Sequence, residues 1–149
     1  MLVSITDLGN SEIYPEIIAQ ITRGSDLIAT TAIEEAQDFV KSYMNQYDLL
    51  AIFGDDTTIP VTVPTVSAPS IVRIIKTVAT WYLIKLANPN VNTELFYSDY
   101  KVAVDWLKSL QKGDVNPGLP YALDNPDTEV DESNSLVAWT SNLKRTNFF

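Results

Sequence analysis

The chain has 149 residues, 46% of them apolar, a net charge of −9, and neither cysteine nor histidine; its mean hydropathy is close to zero. That length buries one core and leaves little for a second independent domain. Lacking Cys and His, the chain has no disulfide framework, thiolate metal site, low-pKa thiol or imidazole base, so most hydrolase, metalloenzyme and redox constellations are unavailable.

No basic segment followed by an apolar run opens the chain, and no stretch of about 18 uninterrupted apolar residues occurs, so neither a signal peptide nor a membrane span is expected. Charge is unevenly placed: residues 1–56 hold ten acids and two bases, residues 57–112 three acids and six bases, and residues 113–149 six acids and two bases. An acidic chain repels phosphate, which disfavours tight sequence-independent binding of nucleic acid and leaves only a local basic face in the middle third.

In chain order, a short helix is predicted over 15–22, because Pro15 suits a first turn and Ile17, Ile18 and Ile21 recur at helical spacing before Gly24. Ser25 or Asp26 caps a longer helix. Its stripe of Ala29, Ala32, Ile33, Ala36, Phe39, Val40, Tyr43, Met44 and Tyr47 advances in steps of three and four, with Glu34, Glu35, Asp38 and Lys41 outside it. From Gly54 to Pro69 the chain is broken by prolines, yet Ile59, Val61 and Val63 alternate with Pro60, Thr62 and Pro64. This reads as extended backbone in a projecting loop or hairpin at about 55–69. Its apolar face exceeds what a Pro-broken loop can bury locally, so Ile59, Val61, Val63 and Val66 are assigned to a subunit interface.

Residues 70–86 make the next predicted helix, apolar almost all round and therefore central or wedged between subunits. It stops at Asn88-Pro89, and Asn92 is the expected N-cap of a last helix over 93–112, with Glu94 at its positive end and Gly113 closing it. Trp81, Leu95, Trp106 and Leu107 lie on the apolar faces of these two helices and are assigned to the structural core. The reading is a mainly α fold, a bundle of about four helices over 1–112 with an extended C-terminal arm over 113–149. That arm opens with Asn116-Pro-Gly-Leu-Pro120 and carries Asp124, Asp127, Glu129, Asp131 and Glu132. It ends in apolar residues, and Leu136, Val137, Trp139, Phe148 and Phe149 are assigned to docking on a neighbour.

No catalytic, cofactor-binding or metal-ligating residue is assigned, and no cofactor is expected. Asp55-Asp56 beside Gly54 reads as a polar turn rather than a carboxylate pair. The five glycines stand singly, so no phosphate-cradling loop exists. Asp127-x-Glu129-x-Asp131 has the opening spacing of a calcium loop but lacks its glycine and final glutamate. Arg73 and Lys76 either face phosphate or snorkel and pair with Glu34, Glu35 or Asp38.

Three stretches carry a resemblance: Ile5-Thr-Asp-Leu-Gly-Asn-Ser-Glu-Ile-Tyr-Pro-Glu-Ile-Ile18, Trp81-x-x-Ile-Lys-Leu-Ala-Asn-Pro-Asn90 and Trp106-Leu-Lys-x-x-Gln-Lys-Gly113. Over roughly residues 1–118 the chain resembles the Mu-type head-tail joining (head completion) proteins of tailed bacteriophages. The resemblance implies a non-enzymatic virion protein at the head-tail junction, assembled in the bacterial cytoplasm. It further implies a homo-oligomeric adaptor ring, a dodecamer, between the portal protein and the tail or next ring protein, with DNA passing through its channel without specific binding and no membrane involved. The alternative from the residues alone is a nucleic-acid-binding helical module using Arg73, Lys76 and Lys85. At about 100° per residue, however, Lys76 lies about 60° and Lys85 about 120° from Arg73, with apolar side chains among them, so no clean basic face forms.

Overall fold

A computed structural model describes residues 2–11, 13–57, 59–86 and 93–122, the side chains of 10 and 11 excepted. Six α-helices occupy this part of the chain: α1 (Ile5–Ser11), α2 (Pro15–Thr22), α3 (Asp26–Lys41), α4 (Leu49–Phe53), α5 (Pro69–Ile84) and α6 (Glu94–Lys112). Together they form a small, mainly helical bundle. Four of the helices are those predicted; α1 and α4 are additional.

The apolar helix α5 is central. It packs against α3 and α6, and also against α1 and α2. Ile71, Ile75, Val78, Ala79, Leu83 and Ile84 are buried along it, and each large aliphatic side chain removed from water contributes about 1.5–3 kcal/mol. The Thr65 and Val66 amides donate to the Ala51 carbonyl, so α5 starts beside α4, at the end of the molecule where α3 finishes. The first turns of α3 and the last turn of α5 line one groove, so the two helices run antiparallel.

The stripe predicted to continue to Tyr47 does not stay helical. α3 ends at Lys41, where the Ser42 hydroxyl donates to the Phe39 carbonyl at 2.6 Å. Two tight turns follow, with the Tyr43 amide bonded to the Val40 carbonyl and the Met44 amide to that of Lys41. Met44 and Tyr47 are nonetheless buried. The physical cause lies just beyond: Tyr47 pairs antiparallel with Tyr121 and Asp48 is extended as N-cap of α4, its Oδ1 accepting from the Ala51 amide at 3.0 Å, so the helix has to end before these extended residues.

α1 stands on a reciprocal cap. The Ser4 amide donates to Asp7 Oδ2 at 2.8 Å, the Ser4 hydroxyl donates to the same oxygen at 2.6 Å, and the Asp7 amide donates to Ser4 Oγ at 3.3 Å. This pairs the orphan donors of the first turn. α6 buries Ala103, Leu107 and Leu110 at steps of four and three and ends at Gly113, whose φ of 81° is left-handed. Its N-cap is Thr93, which makes no side-chain cap bond; Asn88, Pro89 and Asn92 lie outside the described residues.

Beyond Gly113 the chain returns to the body. Leu119 is buried, the Asp48 amide donates to the Pro120 carbonyl, and the Ala122 amide donates to that of Gln46. Tyr121 stacks on Tyr47 with ring centroids 5.1 Å apart. Residues 113–122, which the sequence groups with the arm, are thus fixed to the helical body; residues 123–149 lie outside the described residues.

Candidate interaction surfaces

Among the described residues no group of three or more carboxylates is placed to hold a metal ion. Asp55 Oδ1 accepts from the Thr57 amide at 2.8 Å and from the Thr57 hydroxyl at 2.6 Å, which makes it the anchor of a turn. What the surface offers instead is apolar.

The segment after α4 forms a hairpin. Asp55 and Thr62 pair antiparallel, exchanging amide-to-carbonyl bonds of 2.7 and 2.8 Å. Gly54 makes the tight entry possible: its φ of 69° and ψ of −173° belong to a region reserved for glycine, and a Cβ there would collide with the Thr62 carbonyl oxygen. Of the residues assigned to an interface, Ile59 is 99% exposed and Val61 and Val63 are exposed, whereas Val66 packs partly buried against the core. The hairpin therefore lifts three aliphatic side chains off the body and uses the fourth as its foot.

A second apolar surface lies at the other end of the α3–α5 pair. Leu27, Ile28 and Thr31 of α3 and Tyr82, Lys85 and Leu86 at the end of α5 line an open groove of about 750 Å³; Leu27 and Leu86 are 73% and 62% exposed. The Lys85 ammonium sits 4.9 Å from the Tyr82 ring centroid and 5.9 Å from that of Trp81, within cation–π range. Next to the groove an aromatic seam crosses the three long helices: Phe39 to Tyr43 at 5.3 Å, Phe39 to Tyr100 at 6.4 Å, Trp81 to Tyr100 at 5.7 Å and Trp81 to Tyr97 at 5.3 Å. Burial among these rings raises the phenol pKa of Tyr82 and of Tyr100 above the ordinary tyrosine value.

The four residues assigned to the core divide. Leu107 is fully buried, and Trp81 and Trp106 are partly buried. Leu95 is a correction: at 66% exposure it stands outside the core, because at about 100° per residue it points roughly 90° away from the face of α6 that carries Phe96, Tyr100, Ala103, Leu107 and Leu110. Of the candidate bases, Arg73 and Lys76 line one groove with Leu2, Val66 and Val72, whereas Lys85 lies apart from them, over the α3 side, so the three do not form one basic face. Leu136, Val137, Trp139, Phe148 and Phe149 lie outside the described residues. The groove beside Leu27 escaped sequence reasoning, although Leu27 and Ile28 fall off the stripe of α3 and thereby signal an apolar patch facing away from the core.

Comparison with known proteins gives one family. The family model described as Bacteriophage Mu, Gp36 matches residues 4–135, nearly the whole chain, whereas no curated protein and no solved structure matches significantly. A match of that extent to a Mu-type phage protein supports a structural or assembly role in a phage, and among the described residues no helix is long and apolar enough to cross a membrane. The chain belongs to the Bacteriophage Mu, Gp36 family.

Proposed function

We propose that the protein is a head-tail adaptor: a structural virion component, not an enzyme, that assembles into a homo-oligomeric ring between the portal and the tail. Family membership supplies the phage setting. The observation that carries the reading further is the hairpin, whose Ile59, Val61 and Val63 stand in solvent on a body that already has a closed core. Apolar surface raised in this way marks a contact with another chain, and an arm reaching a neighbour adds contact area to a ring without enlarging the core. In this reading residues 123–149 extend the arm and bring Leu136, Val137, Trp139, Phe148 and Phe149 to the portal or a neighbouring subunit. The net charge of −9 lets DNA slide through the channel without adhering. The resemblance implies twelve copies.

Native mass spectrometry or multi-angle light scattering of the protein, alone and mixed with the portal protein of the same phage, tests this. A large discrete particle with a fixed copy number is expected; a monomer under both conditions rejects the ring. Replacing Ile59, Val61 and Val63, all exposed, by Ser should abolish the particle and leave helical circular dichroism unchanged.

A further inference from the structure

We propose that the hairpin of one copy seats in the α3–α5 groove of a second copy, so that the subunits join head to tail. This rests on the ring reading and names its contact. The groove is apolar where it is open, with Leu27, Ile28 and Leu86 around the Tyr82 ring, and calls for an apolar occupant. Such an occupant is present in the chain itself: Ile59 and Val61 form the exposed tip of the hairpin, and Ile59, at 99% exposure, touches no groove of its own copy. Nor is its own groove close at hand. The hairpin springs from the α4 end of the bundle and the groove lies beyond the opposite end of α5, whose 16 residues span about 24 Å. Knob and groove are thus unlike surfaces at opposite ends of one molecule, each left for a different neighbour.

Charge agrees with this pairing. The hairpin between Gly54 and Val66 carries Asp55 and Asp56 and no base, while the cation of the groove, Lys85, stands at its lip; Glu35 is the acid among its lining residues and sits on the α3 wall. The acidic hairpin is in this way complementary in charge to the Lys85 ammonium. A contact between unlike surfaces is heterologous: it propagates from copy to copy and closes into a ring when the rotation per subunit divides a full turn.

The test uses full-length chains carrying Ile59→Asp, which spoils the knob, or Leu27→Asp, which spoils the groove. Both positions are exposed, and an acid at the second residue of α3 favours the helix dipole, so circular dichroism and melting should match the parent. Each variant alone should lose the ring, with self-association weakened at least about tenfold, the equivalent of about 1.4 kcal/mol. Mixed in equal amounts, one intact knob and one intact groove should give a 1:1 heterodimer that grows no further. If Ile59→Asp still forms the parental ring, the contact is wrong while the ring stands. If the mixture stays monomeric where the parent assembles, the interface is not head to tail and the proposal falls. If a chain ending at residue 122 loses the ring while Ile59→Asp keeps it, the groove receives the C-terminal segment instead. A parent that stays monomeric both alone to millimolar concentration and with the portal protein overturns the contact and the ring together.

Discussion

Thr80 illustrates how one atom can oppose the fold around it. It lies buried on α5, and its Oγ1 has no hydrogen-bond partner among the described residues, whereas Thr22, Thr31 and Thr77 each donate to the carbonyl four residues earlier. A buried hydroxyl left unpaired costs about 1–3 kcal/mol. Thr80→Val, which keeps the shape and removes the hydroxyl, should therefore raise stability by about 1 kcal/mol in a urea titration; a loss of stability would mean that the hydroxyl has a partner in solution. Gly54 works in the opposite sense. Gly54→Ala meets both the glycine-only backbone and the Thr62 carbonyl and should cost about 1–3 kcal/mol, lowering the melting temperature while helical circular dichroism persists. Burial at the middle of each helix was readable from spacing alone, since Ile71, Ile75 and Leu107 fall where a 3.6-residue period points inward. Leu95 was not, because hydropathy draws the apolar face of α6 too broad: Phe96, Tyr100, Ala103, Leu107 and Leu110 share its inward side, and Leu95 lies roughly 90° from them.

At the scale of single elements, α1 is the part the sequence hid. Seven residues are too few to show a period, and the signal was a single cap, Ser4 with Asp7 three residues on. Hydrogen bonds from Ser4 lower the Asp7 pKa, helped by the positive charge of Lys76. A carboxylate held below its unfolded value adds stability above that value and loses it as pH falls through the folded one, so α1 should loosen below about pH 4, the unfolded carboxylate range. Hydrogen exchange of the α1 amides should show this step, and Asp7→Asn should remove it; Ser4→Ala should cost about 1 kcal/mol at neutral pH. Along α6, Leu107→Ala should cost about 2–5 kcal/mol while Leu95→Ala stays within about 0.5 kcal/mol. Equal effects at the two positions would contradict the burial gradient along that helix.

For the molecule as a whole, the question is where the folded body ends. Composition places the division at Gly113, where prolines and acids begin, yet the contacts carry the body on to Ala122. Leu119 is buried, Tyr121 stacks on Tyr47, and two backbone bonds tie Pro120 and Ala122 to the turn before α4. Hydropathy could not reveal this, because the segment is held by pairing with a distant turn and carries no period of its own. Two truncations separate body from arm. A chain ending at Ala122 should melt with the full-length protein, since every contact just described is retained. A chain ending at Lys112 loses the burial of Leu119, about 1.5–3 kcal/mol, and two backbone hydrogen bonds at about 1 kcal/mol each. It should also expose Tyr47, so a fall of several kcal/mol in urea is expected. If both truncations prove as stable as the full chain, the return segment contributes nothing to folding and the body ends at Gly113. If both are destabilised alike relative to the full chain, residues 123–149 are part of the fold, and their apolar end packs at home rather than on a partner. The reading proposed above requires the first truncation to be as stable as the parent and yet defective in joining the portal, with Trp139→Ala in the full-length chain reproducing that defect in a pull-down.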